Sequence, residues 1–346
     1  MENNNLDDDV NNKNIKIKLT NMKKNYFITG GTGSFALKFV DYILRRNLAK
    51  KIVIFSRDEF KQLQMQNLPI IKKNLSRFRF FIGDVRDIDR INWALEEDID
   101  IIIHTAALKQ VPATEYNPFE TVKTNVIGTQ NLIEIAIKKS IDKCVLISTD
   151  KAVSPINLYG STKLTAEKLF ISANLFKGKK TCKFSVARYG NVMGSRGSVI
   201  PILLKQNHSN KKFTITDKRM TRFNITLNEA VSFVNNCISS MRGKEIFVPK
   251  CPSYRIMDVS KAINKKKKFK LIGIRRGEKI HEELVNSPEH HYAVEKKDKF
   301  ILFPLSRNMK NNIEKHNSYN SYDNKKFLSI QNIKDLISEN LSDFRY

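Results

Sequence analysis

Two pairs of side chains in one short stretch could move protons. Residues 148–163 read STDKAVSPINLYGSTK, in which Lys163 follows Tyr159 by four positions. On a helix these two side chains lie one turn apart on the same face. A nearby cation lowers the pKa of a tyrosine from its reference value of about 10. We therefore expect Tyr159, assisted by Lys163, to take a proton from a hydroxyl group while a hydride leaves the same carbon.

The second pair is Asp150 and Lys151, just before that tyrosine. Reversible oxidation needs no further acid or base, but loss of water beside a new ketone needs both. Lys151 can be the base only when neutral, so we expect its pKa to fall below about 10.4 through burial beside Lys163 and an oxidised nicotinamide. Asp150 can be the acid only if an enclosed site raises its pKa. A salt bridge between two loop residues at a helix N-terminus remains an alternative.

A glycine-rich segment, ITGGTGSFA, predicts a dinucleotide site because it follows the first expected strand and opens a helix. Gly30 can make the tight turn, Gly33 lets a pyrophosphate approach the backbone, and Ala36 takes the third small position. The helix N-terminus offers free N–H groups to phosphates. Its candidate contacts are Gly30, Thr32, Gly33, Ser34 and Phe35. A glycine-rich turn without a ligand is the alternative.

The end of the second expected strand, FSRDEFK, favours NADP over NAD. Ser56 stands where an acid would bind the ribose hydroxyls, and Arg57 and Lys61 could pair with a 2′-phosphate. Asp58 keeps NAD open, because a shift of one or two residues would place it on the ribose. After the third strand, Asp84 and Val85 are candidates for the adenine edge.

The elements that must position these residues alternate along the chain. Short β-branched runs such as KIVIFS and KCVLIST alternate with amphipathic segments, which predicts a Rossmann-type α/β fold with a doubly wound parallel sheet. We expect a disordered extension over residues 1–23 and an NADP-binding domain over 24–195, with sheet elements returning around 226–250. A smaller, interleaved substrate lobe is expected over 196–305, and a tail with one amphipathic helix over 306–346.

The overall composition excludes several classes of protein. The 346 residues carry a formal charge of +26, but Lys and Asn are spread along the whole chain, so we expect a solvated surface and no nucleic-acid site. The longest apolar runs have strand length, and no signal peptide is evident, so we expect a cytoplasmic protein without membrane contact. The four cysteines lack metal-ligand spacing, so no metal is expected.

Eight segments together resemble the soluble, inverting UDP-N-acetylglucosamine 4,6-dehydratases of the extended short-chain dehydrogenase superfamily, which include the enzyme that begins pseudaminic acid biosynthesis. Among them are FITGGTGSFA, STDKAVSPINLYGSTK, VARYGNVMGSRGSVIP, TDKRMTRFNIT and IGIRRGEKIHE, within about residues 25–290. The resemblance implies NADP-dependent 4,6-dehydration of UDP-N-acetylglucosamine with inversion at C5, in a homo-oligomer (a dimer or hexamer). A retaining dehydratase, a UDP-sugar 4-epimerase and a non-catalytic NADPH-binding scaffold for acidic partners are the alternatives.

The resemblance also implies roles for individual residues. The implied catalytic residues are Asp150, Lys151 and Tyr159, with Lys163 holding the cofactor and Thr149 assisting at the sugar O4. Lys109 would line the boundary between cofactor and sugar, and Ala106, Ala107 and Val192 complete the candidate cofactor contacts. The residues implied to hold the UDP moiety are Asn191, Arg196, Arg222, Arg275 and Glu278, which suits the preference of diphosphates for arginine.

Overall fold

The computed structural model describes residues 23–95, 98–195, 197–209, 211–306 and 318–340. Most of the expected N-terminal extension, residues 1–22, lies outside these ranges, and so does Arg196. Of the expected tail, residues 306–346, the structure describes residue 306 and residues 318–340.

The strands of the described chain lie mainly in one large sheet. In chain order they are β1 (Lys24–Thr29), β2 (Ala49–Ser56), β3 (Phe78–Ile82), β4 (Ile101–His104), β5 (Lys143–Thr149), β6 (Lys183–Tyr189), β7 (Asn191–Val192), β8 (Phe213–Ile215), β9 (Thr221–Ile225), β10 (Ile246–Pro249), β11 (Ser253–Arg255), β12 (Phe269–Leu271), β13 (Glu283–Val285), β14 (Ala293–Glu295), β15 (Lys299–Leu302) and β16 (Tyr319–Asn320).

The helices lie between these strands. They are α1 (Ser34–Arg45), α2 (Glu59–Gln66), α3 (Pro69–Lys72), α4 (Ile88–Ala94), α5 (Val111–Tyr116), α6 (Pro118–Val122), α7 (Gly128–Lys138), α8 (Leu158–Phe176), α9 (Val199–Asn207), α10 (Leu227–Ser240), α11 (Ile256–Asn264), α12 (Ser287–His290) and α13 (Ile330–Glu339). Short 3-10 turns cover Leu75–Arg77 and Asp150–Ala152, and a π-helical turn covers Lys123–Ile127.

The large sheet has the strand order β14-β15-β10-β6-β5-β4-β1-β2-β3. Strands β1 to β6 and β10 pair in parallel, whereas β15 and β14 continue the sheet antiparallel. The order 3-2-1-4-5-6 places the switch point of the sheet between β1 and β4, where such folds bind ligands at the carboxyl ends of the strands. The predicted Rossmann-type α/β fold is confirmed.

The main core lies on both faces of this sheet. The central strands are largely continuous apolar runs, such as residues 101–103 of β4, because helices cover them on both sides. Helix α1 buries Ala36, Phe39, Val40 and Ile43, which share one face of the helix at three- and four-residue spacing. This packing fixes the N-terminus of α1 against the carboxyl end of β1.

A second, smaller core lies beside the sheet. It brings together apolar residues of α9, β8, α11 and α13, including Leu203, Phe213, Val259 and Ile333. Three small sheets accompany it: β11-β9-β7, β12-β8 and β13-β16. Strand β10 returns to the main sheet after this region begins, and so do β15 and β14. The chain therefore crosses repeatedly between the two cores.

Candidate active site

A cavity of about 1000 Å³ opens at the carboxyl ends of the sheet strands. The predicted site residues that line it are Gly30, Thr32, Gly33, Ser34, Phe35, Ser56, Arg57, Asp58, Lys61, Asp84, Val85, Ala106, Ala107, Lys109, Thr149, Lys151, Tyr159, Asn191, Val192, Arg222, Arg275 and Glu278. Asp150 and Lys163 are buried behind its wall, with 0% and 4% of their surface exposed. Residues that are distant in sequence thus share one cavity.

The glycine-rich loop has the geometry of a phosphate cradle. Gly30 has φ +61°, and a side chain there would lie 2.8 Å from Thr105 Oγ1, so only glycine suits the turn. Gly33 is the N-cap of α1, and no side chain caps the first N–H groups of this helix. Those groups therefore remain available to an anion at the positive end of the helix dipole. The residues present fit the pyrophosphate of a dinucleotide.

The part of the cavity predicted to hold the ribose includes Asp58, which is the N-cap of α2. Its Oδ1 accepts the backbone N–H of Lys61 at 2.9 Å, and its Oδ2 pairs with Lys61 Nζ at 2.6 Å. These hydrogen bonds hold the pKa of Asp58 below its usual value. Arg57 is about half exposed and lies 3.5 Å from Asp84. Both carboxylate oxygens of Asp58 are thus bonded to Lys61 of α2. Arg57 lines the cavity with about half of its side chain exposed.

The catalytic turn follows directly from strand β5. Thr149 ends the strand, and the 3-10 turn Asp150–Ala152 places Lys151 at the cavity and Asp150 directly behind its wall. Asp150 Oδ1 accepts hydrogen bonds from Thr149 Oγ1 at 2.9 Å and from Lys151 Nζ at 3.0 Å. Lys151 Nζ also donates to Asn191 Oδ1 at 3.1 Å. The pair therefore shares a hydrogen bond inside the site.

Helix α8 packs closely over this turn because Gly160 has no side chain. A Cβ at that position would collide with the carbonyl oxygen of Lys151. Asn157 begins the helix, with its side chain accepting the N–H of Gly160 at 2.8 Å. The close approach brings Tyr159 beside the catalytic turn.

The charge state of Lys151 differs from the sequence-based expectation. Burial by itself lowers the pKa of this ammonium group, but the carboxylates of Asp150 and Glu282 outweigh burial and raise the pKa above its ordinary value. The expected lowering beside Lys163 is wrong for the protein alone, because the two carboxylates near Nζ outweigh both burial and the cation of Arg222. Lys151 is held here as an ammonium ion.

The tyrosine and second lysine also differ from expectation. Desolvation raises the pKa of Tyr159 to about 12, and the cation that opposes this shift is Lys151 rather than Lys163. Burial lowers the pKa of Lys163 to about 8, although Glu167 partly offsets it. The expected lowering of the Tyr159 pKa by Lys163 is therefore wrong for the unliganded protein.

The predicted UDP-binding residues Asn191, Arg222, Arg275 and Glu278 line the same cavity. Arg275 lies 3.6 Å from Glu278, and the guanidinium of Arg275 is about half exposed. Arg222 is mostly buried and donates to the backbone carbonyls of Lys279 and Ile280, each at 2.9 Å. These hydrogen bonds hold the backbone of the cavity wall in place. The role of Arg222 in binding a diphosphate stays a prediction.

Sequence reasoning missed Glu282 as a site residue. This carboxylate lines the cavity with 3% of its surface exposed, and its Oε1 lies 3.4 Å from Lys151 Nζ. The only sequence signal was its place at the end of the matching segment IGIRRGEKIHE. Its pairing with Lys151 joins segments far apart in the chain and could not be inferred from spacing.

Comparisons with known proteins agree with this geometry. The family model described as "Polysaccharide biosynthesis protein" matches residues 26–304. The UDP-N-acetylglucosamine 4,6-dehydratase (inverting) of Campylobacter jejuni is 46% identical over 283 residues, which cover 82% of this chain and 83% of that protein. A UDP-glucose 4-epimerase of Rickettsia bellii is 42% identical over 273 residues, covering 77% of this chain and 79% of that protein.

A solved structure extends the similarity to the whole fold. The X-ray structure of Pen from Bacillus thuringiensis superimposes with a TM-score of 0.84 at 38% identity, covering 92% of this chain and 99% of that one. Among the helices of the described ranges, none combines the length and apolar character that a membrane crossing requires.

Proposed function

Because this chain belongs to the polysaccharide biosynthesis protein family, we propose that it is an NADP-dependent UDP-N-acetylglucosamine 4,6-dehydratase that inverts C5. The product would be UDP-2-acetamido-2,6-dideoxy-β-L-arabino-hexos-4-ulose, an intermediate for surface glycans or sugars of the pseudaminic acid type. The observation that carries this proposal is the Asp150–Lys151 pair, hydrogen-bonded at 3.0 Å beside Tyr159. The 46% identity to the Campylobacter jejuni dehydratase, over 82% of this chain, supports it.

The Asp150–Lys151 pair favours a dehydratase over the 4-epimerase suggested by the Rickettsia relative. Epimerisation at C4 needs one proton carrier, which Tyr159 supplies, whereas dehydration also needs a base at C5 and an acid at the C6 hydroxyl. Among the described residues, Asp150 and Lys151 add these two functions within one turn. They would be superfluous in an enzyme that only oxidises and reduces C4.

The observed ammonium–carboxylate pair is one proton transfer away from the form that dehydration requires. Movement of the shared proton from Lys151 Nζ to Asp150 Oδ1 leaves an amine and a carboxylic acid. The amine can accept the C5 proton while the acid protonates the departing C6 hydroxyl, which leaves as water. These two transfers restore the ammonium and the carboxylate of the pair. C5 of the unsaturated sugar would then take a solvent-exchangeable proton as the hydride returns to C6, so the net change is the loss of one water.

Other residues of the chain would prepare this step. Once its phenol is ionised, Tyr159 would take the proton of the C4 hydroxyl, and Thr149, which bonds to Asp150, would orient the acid. When bound, the cofactor supplies a reversible acceptor for the C4 hydride. The free N–H groups of α1 would hold its pyrophosphate, and Arg57 would face its 2′-phosphate while Asp58 caps α2.

Incubation with UDP-N-acetylglucosamine in deuterated water tests the proposal. Proton NMR should show a 4-keto-6-deoxy sugar with solvent deuterium at C5 and the substrate's own C4 hydrogen at C6. The early product should have the β-L-arabino configuration. A D-xylo product seen before any slow epimerisation would indicate a retaining enzyme, and a C4 epimer without water loss would indicate an epimerase.

A further inference from the structure

The carboxylate of Glu282 lies beside Lys151 although it belongs to a distant segment of the chain. It is almost fully buried, and its Oε1 lies 3.4 Å from Lys151 Nζ and 3.7 Å from Arg222 Nε. Its Oε2 is buried and has no hydrogen-bond partner within the described part of the chain. A buried carboxylate at such a site requires compensation, which these two cations provide.

The backbone around Glu282 is fixed from two directions. Its N–H donates to Ser321 Oγ at 2.9 Å, and its carbonyl accepts from the Ser321 N–H at 2.8 Å. Ser321 Oγ is in turn 2.7 Å from Thr221 Oγ1. On the other side, Arg222 binds the carbonyls that precede Glu282. The carboxylate is therefore placed by rigid supports rather than by a free loop.

Lys151 Nζ consequently has three oxygen partners in the cavity wall. Asp150 and Asn191 supply the nearer two, at 3.0 and 3.1 Å, and Glu282 supplies the third from a remote segment. We propose that Glu282 is a positioning residue for Lys151, whose carboxylate holds the Nζ group together with Asp150 and sets the pH range over which Lys151 acts as a base. This inference rests on the proposed function.

The physical argument concerns the charge on Nζ. Lys151 is neutral before it accepts the C5 proton and positive afterwards, so an adjacent fixed anion makes it a stronger base but keeps it protonated to a higher pH. The titratable and charged groups that face Nζ are Asp150, Tyr159, Arg222, Tyr254 and Glu282. Of the two carboxylates among them, Asp150 exchanges protons in the proposed reaction, which leaves Glu282 as the constant charge.

Glu282→Gln tests this role because it removes the charge and keeps the shape. The titration profile of Lys151 Nζ should move to lower pH by about one to two units, as expected for loss of an anion within about 4 Å of a titrating group. KM and the Kd for UDP should remain within about threefold, because the proposed base does not hold the nucleotide.

Two further variants complete the design. Glu282→Asp keeps the charge but moves it away from Lys151 by one methylene, so its Lys151 titration profile should lie between those of the wild type and Glu282→Gln. Glu283→Gln is the matched control, because it makes the same chemical change at the neighbouring residue, whose backbone pairs with Asn320. Its profile should coincide with that of the wild type.

A titration without substrate separates this inference from the proposed function. The Nζ resonance of Lys151, followed by NMR in selectively labelled protein and assigned with Lys151→Met, should titrate at lower pH in Glu282→Gln. Wild-type protein that makes no 4-keto sugar would refute the function but leave this shift intact. Unchanged Lys151 titration in Glu282→Gln, or in Glu282→Asp should the first variant not fold, would overturn the role of Glu282.

Discussion

Replacement of Arg188 should strongly destabilise the packing of helix α8, which carries Tyr159 and Lys163. Arg188 lies in β6 and is fully buried, with its guanidinium between Glu167 of α8 and Glu289 of α12. It donates two hydrogen bonds to each carboxylate, at 2.6–3.0 Å, and a fifth to the carbonyl of Leu284 at 3.1 Å. Glu167 is one helical turn beyond Lys163, so the network anchors the helix that carries Tyr159 and Lys163.

The perturbation is Arg188→Met, which keeps much of the volume but removes the charge. Two carboxylates would then be buried without their cation, and breaking a buried ion pair in this way costs about 3–5 kcal/mol. At ~2.1 cal/mol/K per residue, 346 residues give an unfolding entropy of about 0.7 kcal/mol/K near the midpoint. Dividing the lost free energy of unfolding by this entropy gives a fall in Tm of about 4–7 °C.

Differential scanning calorimetry would measure this change. The triple variant Arg188→Met, Glu167→Gln, Glu289→Gln is the control, because it removes the buried charges together and should recover most of the lost stability. A fall below about 1 °C in the single variant would show that the network contributes little. A triple variant no more stable than the single one would contradict the role assigned to the unpaired carboxylates.

Three further substitutions test the site itself. Lys151→Met should reduce water loss by about a thousandfold while UDP binding measured by calorimetry stays within a few-fold; dehydration at the wild-type rate would contradict the mechanism. Gly160→Ala should lower kcat by about a hundredfold, because the new methyl group collides with the Lys151 carbonyl and displaces the catalytic turn; an unaltered kcat would show that the contact relaxes freely. Arg57→Ala should weaken NADP binding about tenfold or more and leave NAD binding unchanged in fluorescence titrations, and equal loss for both cofactors would remove the argument for a 2′-phosphate site.

Local patterns in the sequence were sufficient to predict the parallel sheet and the outline of the site. The predicted strands appear in the parallel order expected of a Rossmann-type fold, because continuous β-branched runs can be satisfied only in a sheet covered on both faces. The glycine spacing likewise predicted the tight turn at Gly30, and the helical spacing predicted that Tyr159 and Lys163 lie on one helix. Both features depend only on neighbours within a few residues. The choice of UDP-N-acetylglucosamine rested on resemblance and not on these patterns.

Tertiary structure decided the electrostatics of the site. The sequence shows Lys151 beside Asp150, but only the fold brings Glu282 to within 3.4 Å and turns Arg222 toward the backbone of the cavity wall. A pKa depends on the balance between desolvation and every charge within a few ångströms, whichever part of the chain supplies it. That is why the sequence could predict Lys151 as a proton carrier, whereas the fold determined that it rests as an ammonium ion held by two carboxylates.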